Sequence, residues 1–171
     1  MSNLAKFEKF KDQVGRRLKQ LKAEKQTVRF WWRDDDATHW TPQLEQLVTL
    51  SSKHQTPLFL AVIPNNVVAS LAEELKDKPL VSVIQHGYSH ISRALEGEKK
   101  SEFPRHIALS KVEGEVANGM EKLKDLFGPQ FQPGFVPPWN RFAQEHLPTL
   151  KKLNHRWIST YGQSSDPFYV N

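Results

Sequence analysis

Short apolar runs alternate with longer segments of helical periodicity, and this alternation restricts the possible folds more than any other feature of the sequence. Residues 58–63 form a continuous apolar run, which is typical of a parallel strand covered on both faces, and residues 80–84 form another. Further strands are predicted at 27–33, 133–136 and 156–160. Because the connections are too long for hairpins, the pattern predicts a mainly parallel sheet, either open or curved into a barrel.

Helices are predicted in the segments between these strands. The first lies at the N-terminus, where Leu4, Phe7 and Phe10 begin an apolar stripe of three- and four-residue spacing. The others are predicted at about 41–54, 66–75, 110–127 and 143–153. We therefore expect an N-terminal amphipathic helix at 1–25, followed by one β/α domain at 26–171.

Composition narrows the classes of protein that this chain can belong to. With 171 residues it is long enough for one domain with a hydrophobic core. The absence of cysteine excludes disulfides and thiolate metal sites. No signal peptide and no bilayer-spanning apolar run are visible, so we expect a cytoplasmic protein that does not bind membranes. The formal charge of +5 comes from scattered lysines and arginines without a nucleic-acid-binding motif, so nucleic acid is not an expected partner.

Four polar segments follow the predicted strands directly. They occupy residues 34–36, 64–66, 86–90 and 137–141. In parallel sheets the carboxyl ends of the strands meet at one edge, where ligands bind. The distinctive residues of the chain are therefore predicted to share one rim, and the long segment 91–106 is expected to cover it.

The first of these segments contains three adjacent aspartates, Asp34, Asp35 and Asp36. Adjacent carboxylates repel one another unless positive charge lies among them. One interpretation is a solvated turn in which Arg33 neutralises one aspartate and another caps the next helix. A divalent cation is the alternative, because it can hold ionised oxygen donors side by side.

The third segment contains His86 and His90, separated by four residues. Such a pair can face one ion if the segment begins a helical turn, and Gly87 permits an unusual backbone angle there. Together with the aspartates, the pair predicts a carboxylate–His–His metal site. Four other histidines are expected at the surface or as helix caps: His39, His54, His146 and His155.

The last segment carries the consecutive prolines Pro137 and Pro138, followed by Trp139. The prolines stiffen the loop and place Trp139 beside the predicted site. An exposed aromatic ring next to a polar site is a common platform for sugars. A core tryptophan that anchors the loop is an equally good interpretation.

These three segments resemble a known family. The run from Arg33 to Asp36, the His86 and His90 pair and the run from Phe135 to Pro138 are similar, in order and spacing, to the first three motifs of NodB-type polysaccharide deacetylases. The segments 85–90, 97–100 and 136–141 resemble an uncharacterised bacterial branch of that family. The resemblance implies an incomplete, distorted (β/α) barrel with about five mainly parallel strands present.

The resemblance also implies a divalent ion, most commonly zinc, held by one aspartate and two histidines. In this sequence the ligands would be Asp36, His86 and His90, and Asp35 would act as the catalytic base. An alternative alignment makes Asp34 the base and Asp35 the ligand.

Val136 stands where the family's third motif has an arginine that orients the base. Arg33 or Arg141 is expected to replace that arginine, and Arg33 is the candidate catalytic partner of the base. Four residues of the same loops are expected to contact substrate: Tyr88, Pro138, Trp139 and Asn140.

The family's barrels continue for several further strands and carry a late histidine that acts as general acid. This chain ends at Asn171, after five predicted strands. We therefore expect weak or lost activity if this acid is absent, since general acid–base assistance contributes roughly 10²–10⁴-fold. An open edge at the last strand also predicts a homo-oligomer that covers it.

The leading hypothesis for function is a metal-dependent carbohydrate deacetylase that removes an acetyl group from an acetylated sugar or polysaccharide. The main alternative is a non-catalytic carbohydrate-binding or interaction module on the same scaffold. A third hypothesis, a metal phosphoesterase, draws on the acidic cluster and the basic charge, but it lacks the second ligand set of a two-metal site.

Overall fold

The computed structural model describes residues 3–27, 30–161 and 165–170. The chain forms two compact units, one that ends at Trp31 and one that begins at Trp32. The first unit contains helix α1, Asn3–Ala23, as its periodicity predicted. Within the described ranges, none of the helices combines the length and the apolar character needed to cross a membrane.

The second unit is built on a five-stranded sheet in which all neighbouring pairs are parallel and the order is β1-β2-β3-β4-β5. The strands are β1 Arg33–Ala37, β2 Leu58–Val62, β3 Val81–His86, β4 Phe131–Val136 and β5 Trp157–Ile158. This sheet confirms the mainly parallel fold and is consistent with part of a NodB-type (β/α) barrel. Because all neighbouring strands are parallel, each strand's carboxyl end lies at the same rim.

Four helices connect the strands: α2 Pro42–His54, α3 Ala69–Leu75, α4 Leu109–Phe127 and α5 Leu147–Lys152. Thr41 caps α2, since its hydroxyl oxygen accepts the Leu44 N–H at 3.1 Å, and Pro42 occupies the first turn. Short 3₁₀ turns lie at Gly128–Gln130, Pro138–Asn140 and Gln144–His146. Capping and periodicity thus placed the helices well, although α3 and α5 are shorter than predicted.

Two hydrophobic clusters hold the helices against the sheet. One joins α2, α3 and part of α4 to the first three strands, with Leu58, Leu60 and Leu71 fully buried. The other joins α4 and α5 to β4 and β5, and its large members are Phe103 and Phe135. Phe103 lies outside the regular elements, so the segment between β3 and α4 contributes to the core.

The prediction for the first strand was wrong in its position. Residues 30–32 are not in a strand, residues 28–29 lie outside the described part of the chain, and the strand begins at Arg33. Among the described residues, β1 is an edge strand of the sheet and pairs with β2, through Arg33 opposite Phe59 and Asp34 opposite Leu60. An edge strand can carry consecutive carboxylates because only one side of it must pair within the sheet.

The expectation that His146 and His155 are surface residues or helix caps was wrong for His155 and holds for His146 only in position, since His146 is the N-cap residue of α5 but makes no side-chain capping hydrogen bond. Both are buried. One His146 ring nitrogen, Nε2, lies 3.1 Å from the Pro104 carbonyl oxygen, and His155 Nε2 lies 3.1 Å from Gln85 Oε1. Polar partners inside the fold offset the cost of burying these rings, which position in the sequence alone did not reveal.

The outer edge of β5 is partly covered by the chain itself. The Ile158 N–H donates to the Phe168 carbonyl at 2.8 Å, and the Val170 N–H donates to the Ile158 carbonyl at 2.9 Å. Residues 168–170 therefore pair with the edge that the sequence led us to expect as open. A homo-oligomer stays a prediction.

Candidate metal centre

A β-bulge in β1 brings two carboxylates to the rim. Asp34 pairs with Leu60 and Ala37 pairs with Val62, so the two residues between them, Asp35 and Asp36, lie opposite one residue of β2. Side chains of a regular strand alternate between the faces of the sheet, and a bulge breaks that alternation. Asp36 completes the distortion with a φ of +69°. The bulge thus gives Asp36 a direction that a regular strand would not.

His86 is the last residue of β3, and its side chain is 3% exposed. The Nδ1–H group donates to the Val136 carbonyl at 2.9 Å. This bond fixes the ring and places the other nitrogen, Nε2, 2.9 Å from Asp36 Oδ1. Neighbouring strands β3 and β4 therefore orient this histidine toward β1.

His90 reaches the same carboxylate from a loop. Its Nε2 lies 3.0 Å from Asp36 Oδ1, and its ring centroid lies 5.1 Å from that of His86. The expected helical turn is absent from residues 87–90. Instead, Gly87 and His90 have φ values of +55° and +58°, and the chain bends at Tyr88 and Ser89 between them.

The donor set fits a divalent cation. One ligand atom from each of Asp36, His86 and His90 lies within 4.8 Å of the others. Since Nδ1 of His86 carries a hydrogen, Nε2 of the neutral ring is an acceptor that faces another acceptor, Asp36 Oδ1. A shared cation resolves this conflict, and two imidazoles with one carboxylate are common zinc ligands that leave coordination positions open.

Burial of His86 favours the neutral form of its imidazole ring. Burial lowers the pKa of His86, although Asp35, the Val136 carbonyl and Asp36 act in the opposite direction. The pKa of Asp34 is raised by burial first and then by the charges of Asp35 and Asp36. A neutral imidazole is the form that binds metal.

The Arg33 guanidinium contacts both carboxylate oxygens of Asp35. Its Nε lies 2.6 Å from Asp35 Oδ1, and its Nη2 donates to Asp35 Oδ2 at 3.0 Å. The same guanidinium donates to Ser159 Oγ at 2.8 Å and to Asn140 Oδ1 at 3.1 Å. Arg141 instead contacts the Lys100 carbonyl. Of the two arginines expected near the base, Arg33 is the one that contacts Asp35.

The loop after β4 flanks the histidines. Trp139 is half-buried, its ring centroid lies 4.6 Å from that of His90, and Lys100 Nζ lies 6.0 Å from the indole ring. Pro138 is buried in contact with the backbone near Gly87. Trp139 therefore packs against the His90 ring and is still partly exposed at the rim.

Two other residues expected to contact substrate have structural partners. Tyr88 packs against the second hydrophobic cluster, with Phe103 and Phe135. Asn140 is held by Arg33 and has a φ of +54°. The loops therefore bring Trp139 and Asn140 toward the centre, while the Tyr88 ring contacts the core.

Sequence reasoning missed the residues that support the centre from behind. Glu102 is fully buried and binds the loop of His90. Gln85, also fully buried, donates from Nε2 to the carbonyls of Gly87 and Val116. A glutamine within an apolar strand could have indicated a buried polar contact from the sequence alone. Glu102 lies in a polar stretch, where nothing in the sequence distinguishes it from its neighbours.

The centre is open to solvent. The Asp36 side chain is 61% exposed and that of His90 is 25% exposed. A cavity of about 160 Å³ adjoins the three aspartates, whereas larger cavities of about 580 and 660 Å³ lie elsewhere on the unit. An exposed ligand set can be approached by an extended substrate.

No protein-family model matches the sequence, and no curated protein matches it either. Solved structures, in contrast, match the fold of this chain. The chain is similar to IcaB from Ammonifex degensii, with a TM-score of 0.65 and 14% identity over 80% of this chain and 64% of that one. It is also similar to the Streptococcus pyogenes deacetylase PplD in complex with acetate, with a TM-score of 0.65 and 13% identity over 90% and 68% of the two chains.

A third similar structure is a family 4 acetyl xylan esterase from Clostridium thermocellum in complex with a cobalt ion. Its TM-score is 0.54, with 13% identity over 75% of this chain and 56% of that one. At these identities the likeness establishes the fold. The chain thus has the fold of the polysaccharide deacetylases, as the motifs implied, and it spans 64% of the length of IcaB.

Proposed function

We propose that this protein is a metal-dependent hydrolase that removes an acetyl group from a carbohydrate. The observation that carries the proposal is the convergence of His86 Nε2 and His90 Nε2 on one oxygen of Asp36. The deacetylase fold supports the same conclusion from an independent direction.

Asp36, His86 and His90 hold the ion, and zinc is the best candidate for this set of donors. When bound, a divalent ion lowers the pKa of water and polarises a carbonyl group, which is the chemistry that amide and ester hydrolysis require. The similar esterase structure contains cobalt, which supports a divalent ion here.

Asp35 is the proposed base, which accepts the proton of the attacking water. Arg33 orients its carboxylate through both oxygens and leaves lone pairs free to take that proton. Because Asp36 faces the histidines and Asp35 faces Arg33, the geometry favours this assignment over the one that uses Asp34 and Asp35.

Acetylated sugars or polysaccharides are the proposed substrates. Trp139 lies next to His90 at the open rim, where an aromatic face can stack on a sugar ring. Pro138 and Asn140 hold the loop of Trp139 in place, and Tyr88 helps to hold the loop that carries His90. The exposure of Asp36 suits a polymer better than an enclosed small molecule.

Metal content tests the ligand set. Zinc bound per chain, measured after dialysis by inductively coupled plasma mass spectrometry, should approach one for the wild type and zero for the double variant His86→Ala, His90→Ala. The matched control replaces His39 and His54, which lie outside the ligand group. Full zinc content in the His86 and His90 variant would overturn the proposal.

Activity tests the reaction. Acetate release from an acetylated chitooligosaccharide and from an aryl acetate should require zinc. Asp35→Asn should lower kcat by roughly 10²–10⁴-fold while zinc content stays unchanged. Zinc binding without any acetate release would favour the alternative, a carbohydrate-binding module that uses the rim around Trp139.

The phosphoesterase hypothesis has little support. A two-metal site needs ligands for a second ion. In the part of the chain that the structure describes, Asp36, His86 and His90 form the one group of three or more such ligands. Two zinc ions per chain in the same measurement would favour this hypothesis instead.

A further inference from the structure

A buried carboxylate lies directly behind the loop that carries His90. Glu102 is 0% exposed, and within the described residues its side chain makes no ion pair. Arg93, whose Nη1 donates to the Glu102 backbone carbonyl at 3.5 Å, forms its ion pair with Glu115. A buried carboxylate without a counter-ion is costly unless hydrogen bonds stabilise it, so its contacts are informative.

Within the described part of the chain, the hydrogen bonds of this carboxylate go to two consecutive residues of the loop. Oε2 accepts the Tyr88 N–H at 3.1 Å. Oε1 accepts the Ser89 N–H at 2.6 Å and the Ser89 hydroxyl at 2.8 Å. Hydrogen bonds to a carboxylate are stronger than neutral ones, and two adjacent N–H groups fix the direction of the backbone.

The loop has no regular secondary structure to hold it. Between Gly87 and His90, both with positive φ, the chain belongs to neither a helix nor a strand. The Gly87 N–H donates to the Val136 carbonyl at 3.0 Å, and the next two N–H groups donate to Glu102. Glu102 therefore supplies acceptors for two consecutive backbone N–H groups that belong to neither a helix nor a strand.

Glu102 is itself held rigidly. Its neighbour Phe103 is fully buried in the second hydrophobic cluster, and the Ala143 N–H donates to the Phe103 carbonyl at 3.2 Å. On the other side, the Arg93 N–H donates to the Ser101 carbonyl at 2.8 Å. This part of the segment expected to cover the site is thus an internal support.

We infer that Glu102 is a positioning residue of the metal centre, which holds the loop of residues 87–90 so that His90 reaches the ion together with His86. This inference rests on the proposed function, because it assumes that the two histidines bind metal. Residues that orient metal ligands typically change metal affinity by 10–100-fold when they are replaced. Glu102 acts on the ligands through the backbone of the loop.

The test compares Glu102→Gln with the wild type. Glutamine keeps the size of the side chain but presents an NH₂ group to a backbone N–H, so one contact becomes donor against donor. Zinc affinity, measured by competition with a chromophoric chelator, should fall 10–100-fold. The visible spectrum of the Co²⁺-loaded protein should also change, because His90 no longer keeps its position.

Two further variants separate positioning from general stability. Glu113→Gln makes the same chemical change at an ion pair with Lys152 and should leave zinc affinity and the Co²⁺ spectrum unchanged. Ser89→Ala removes one of the three hydrogen bonds and keeps the carboxylate, so it should weaken zinc binding about fivefold. Urea unfolding with chelator present reports the stability of each metal-free protein.

The outcomes of these experiments distinguish a failure of the role of Glu102 from a failure of the proposed function. Wild-type zinc affinity and an unchanged Co²⁺ spectrum in folded Glu102→Gln would overturn the role of Glu102 and leave the proposed function intact. Absence of zinc binding by the wild type would overturn both. If Glu102→Gln does not fold, Ser89→Ala decides: reduced affinity with unchanged metal-free stability supports the inference, and unchanged affinity overturns it.

Discussion

At the scale of single residues, Arg33 makes two sets of contacts in the candidate site. It binds both oxygens of Asp35, and it joins β1 to Asn140 and Ser159. A planar guanidinium can make this set of contacts because its donors form a fixed fork, whereas an ammonium group is a point charge. The orientation of the proposed base thus depends on the shape of this side chain as well as on its charge.

We predict that Arg33→Lys lowers kcat about 10- to 100-fold, because the base loses its two-point support. Zinc content should stay at the wild-type level, since Asp36, His86 and His90 are unchanged. Arg141→Lys is the matched control, because Arg141 contacts the Lys100 carbonyl and should not affect kcat. Equal kcat values for Arg33→Lys and the wild type would contradict the role of Arg33.

His155 is a second residue whose environment sets a measurable property. It is 4% exposed, and Nε2 lies 3.1 Å from Gln85 Oε1. Burial lowers the pKa of His155 to about 4 from an ordinary value of 6.5, and Lys124 acts in the same direction. Below pH 6.5 the unfolded chain therefore takes up a proton that the folded chain does not, so acid favours unfolding until the pH reaches about 4.

We predict that His155 lowers the free energy of unfolding by about 2 kcal/mol when the pH falls from 7 to 5. This value follows from about 1.4 kcal/mol for each pKa unit. Urea unfolding of wild type and His155→Gln at both pH values measures this contribution as the difference between the two pH dependences. His54→Gln is the control at a solvent-exposed histidine. A His155→Gln variant with the same pH dependence as the wild type would show that His155 is not responsible.

At the scale of elements, the loop between β3 and α4 decides whether two histidines can share one ion. Its tight reversal starts at Gly87, where φ is +55°. A Cβ atom at this position would overlap with Glu102 Oε2 and would lie 2.5 Å from Pro138 Cδ. Glycine is therefore required here both for the backbone conformation and for space.

We predict that Gly87→Ala lowers the free energy of unfolding by about 2–5 kcal/mol and weakens zinc binding, because the new methyl group displaces Glu102 or Pro138. Gly97→Ala is the matched control. Gly97 also has a positive φ, +83°, but nothing lies within 4 Å of its added Cβ. The control should lose about 1 kcal/mol of stability from backbone strain alone and keep its zinc affinity. Equal losses in both variants would contradict the packing argument.

At the scale of the whole molecule, the basic charge does not belong to the candidate site. The unit that begins at Trp32 contains 15 lysines and arginines and 16 aspartates and glutamates. The positive balance of the chain arises before it, where α1 alone has seven basic and two acidic residues. The high pI therefore gives no support to an anionic substrate at the Asp36 site.

The covered edge of the sheet gives a prediction about association. Phe168 is buried in the second hydrophobic cluster and anchors the segment that pairs with β5. Phe168→Ala should cost about 3 kcal/mol and increase self-association, since the edge of β5 becomes available. Light scattering over a range of concentrations measures this. Phe30→Ala, at a side chain 76% exposed, should behave as the wild type. An unchanged association state in Phe168→Ala would show that this pairing does not protect the edge.

Local patterns determined much of this protein. The continuous apolar runs gave the inner strands, because a strand covered on both faces must be apolar throughout. Thr41 and Pro42 gave the start of α2, and the order of the polar segments gave the rim. The three aspartates, His86 and His90 were recognised as one candidate group since parallel strands end at the same edge, and the family resemblance singled out Asp36 among the aspartates.

Only the tertiary structure decided how these residues meet. The bulge at Asp35 and Asp36, the left-handed turn to His90 and the buried contacts of Glu102 and His155 all depend on partners distant in sequence. A sequence pattern records the polarity and size of each residue, whereas the direction of a side chain follows from the backbone that its remote neighbours hold in place. The residue types of the candidate ligands could therefore be predicted from the sequence, whereas the residues that hold them in place could not.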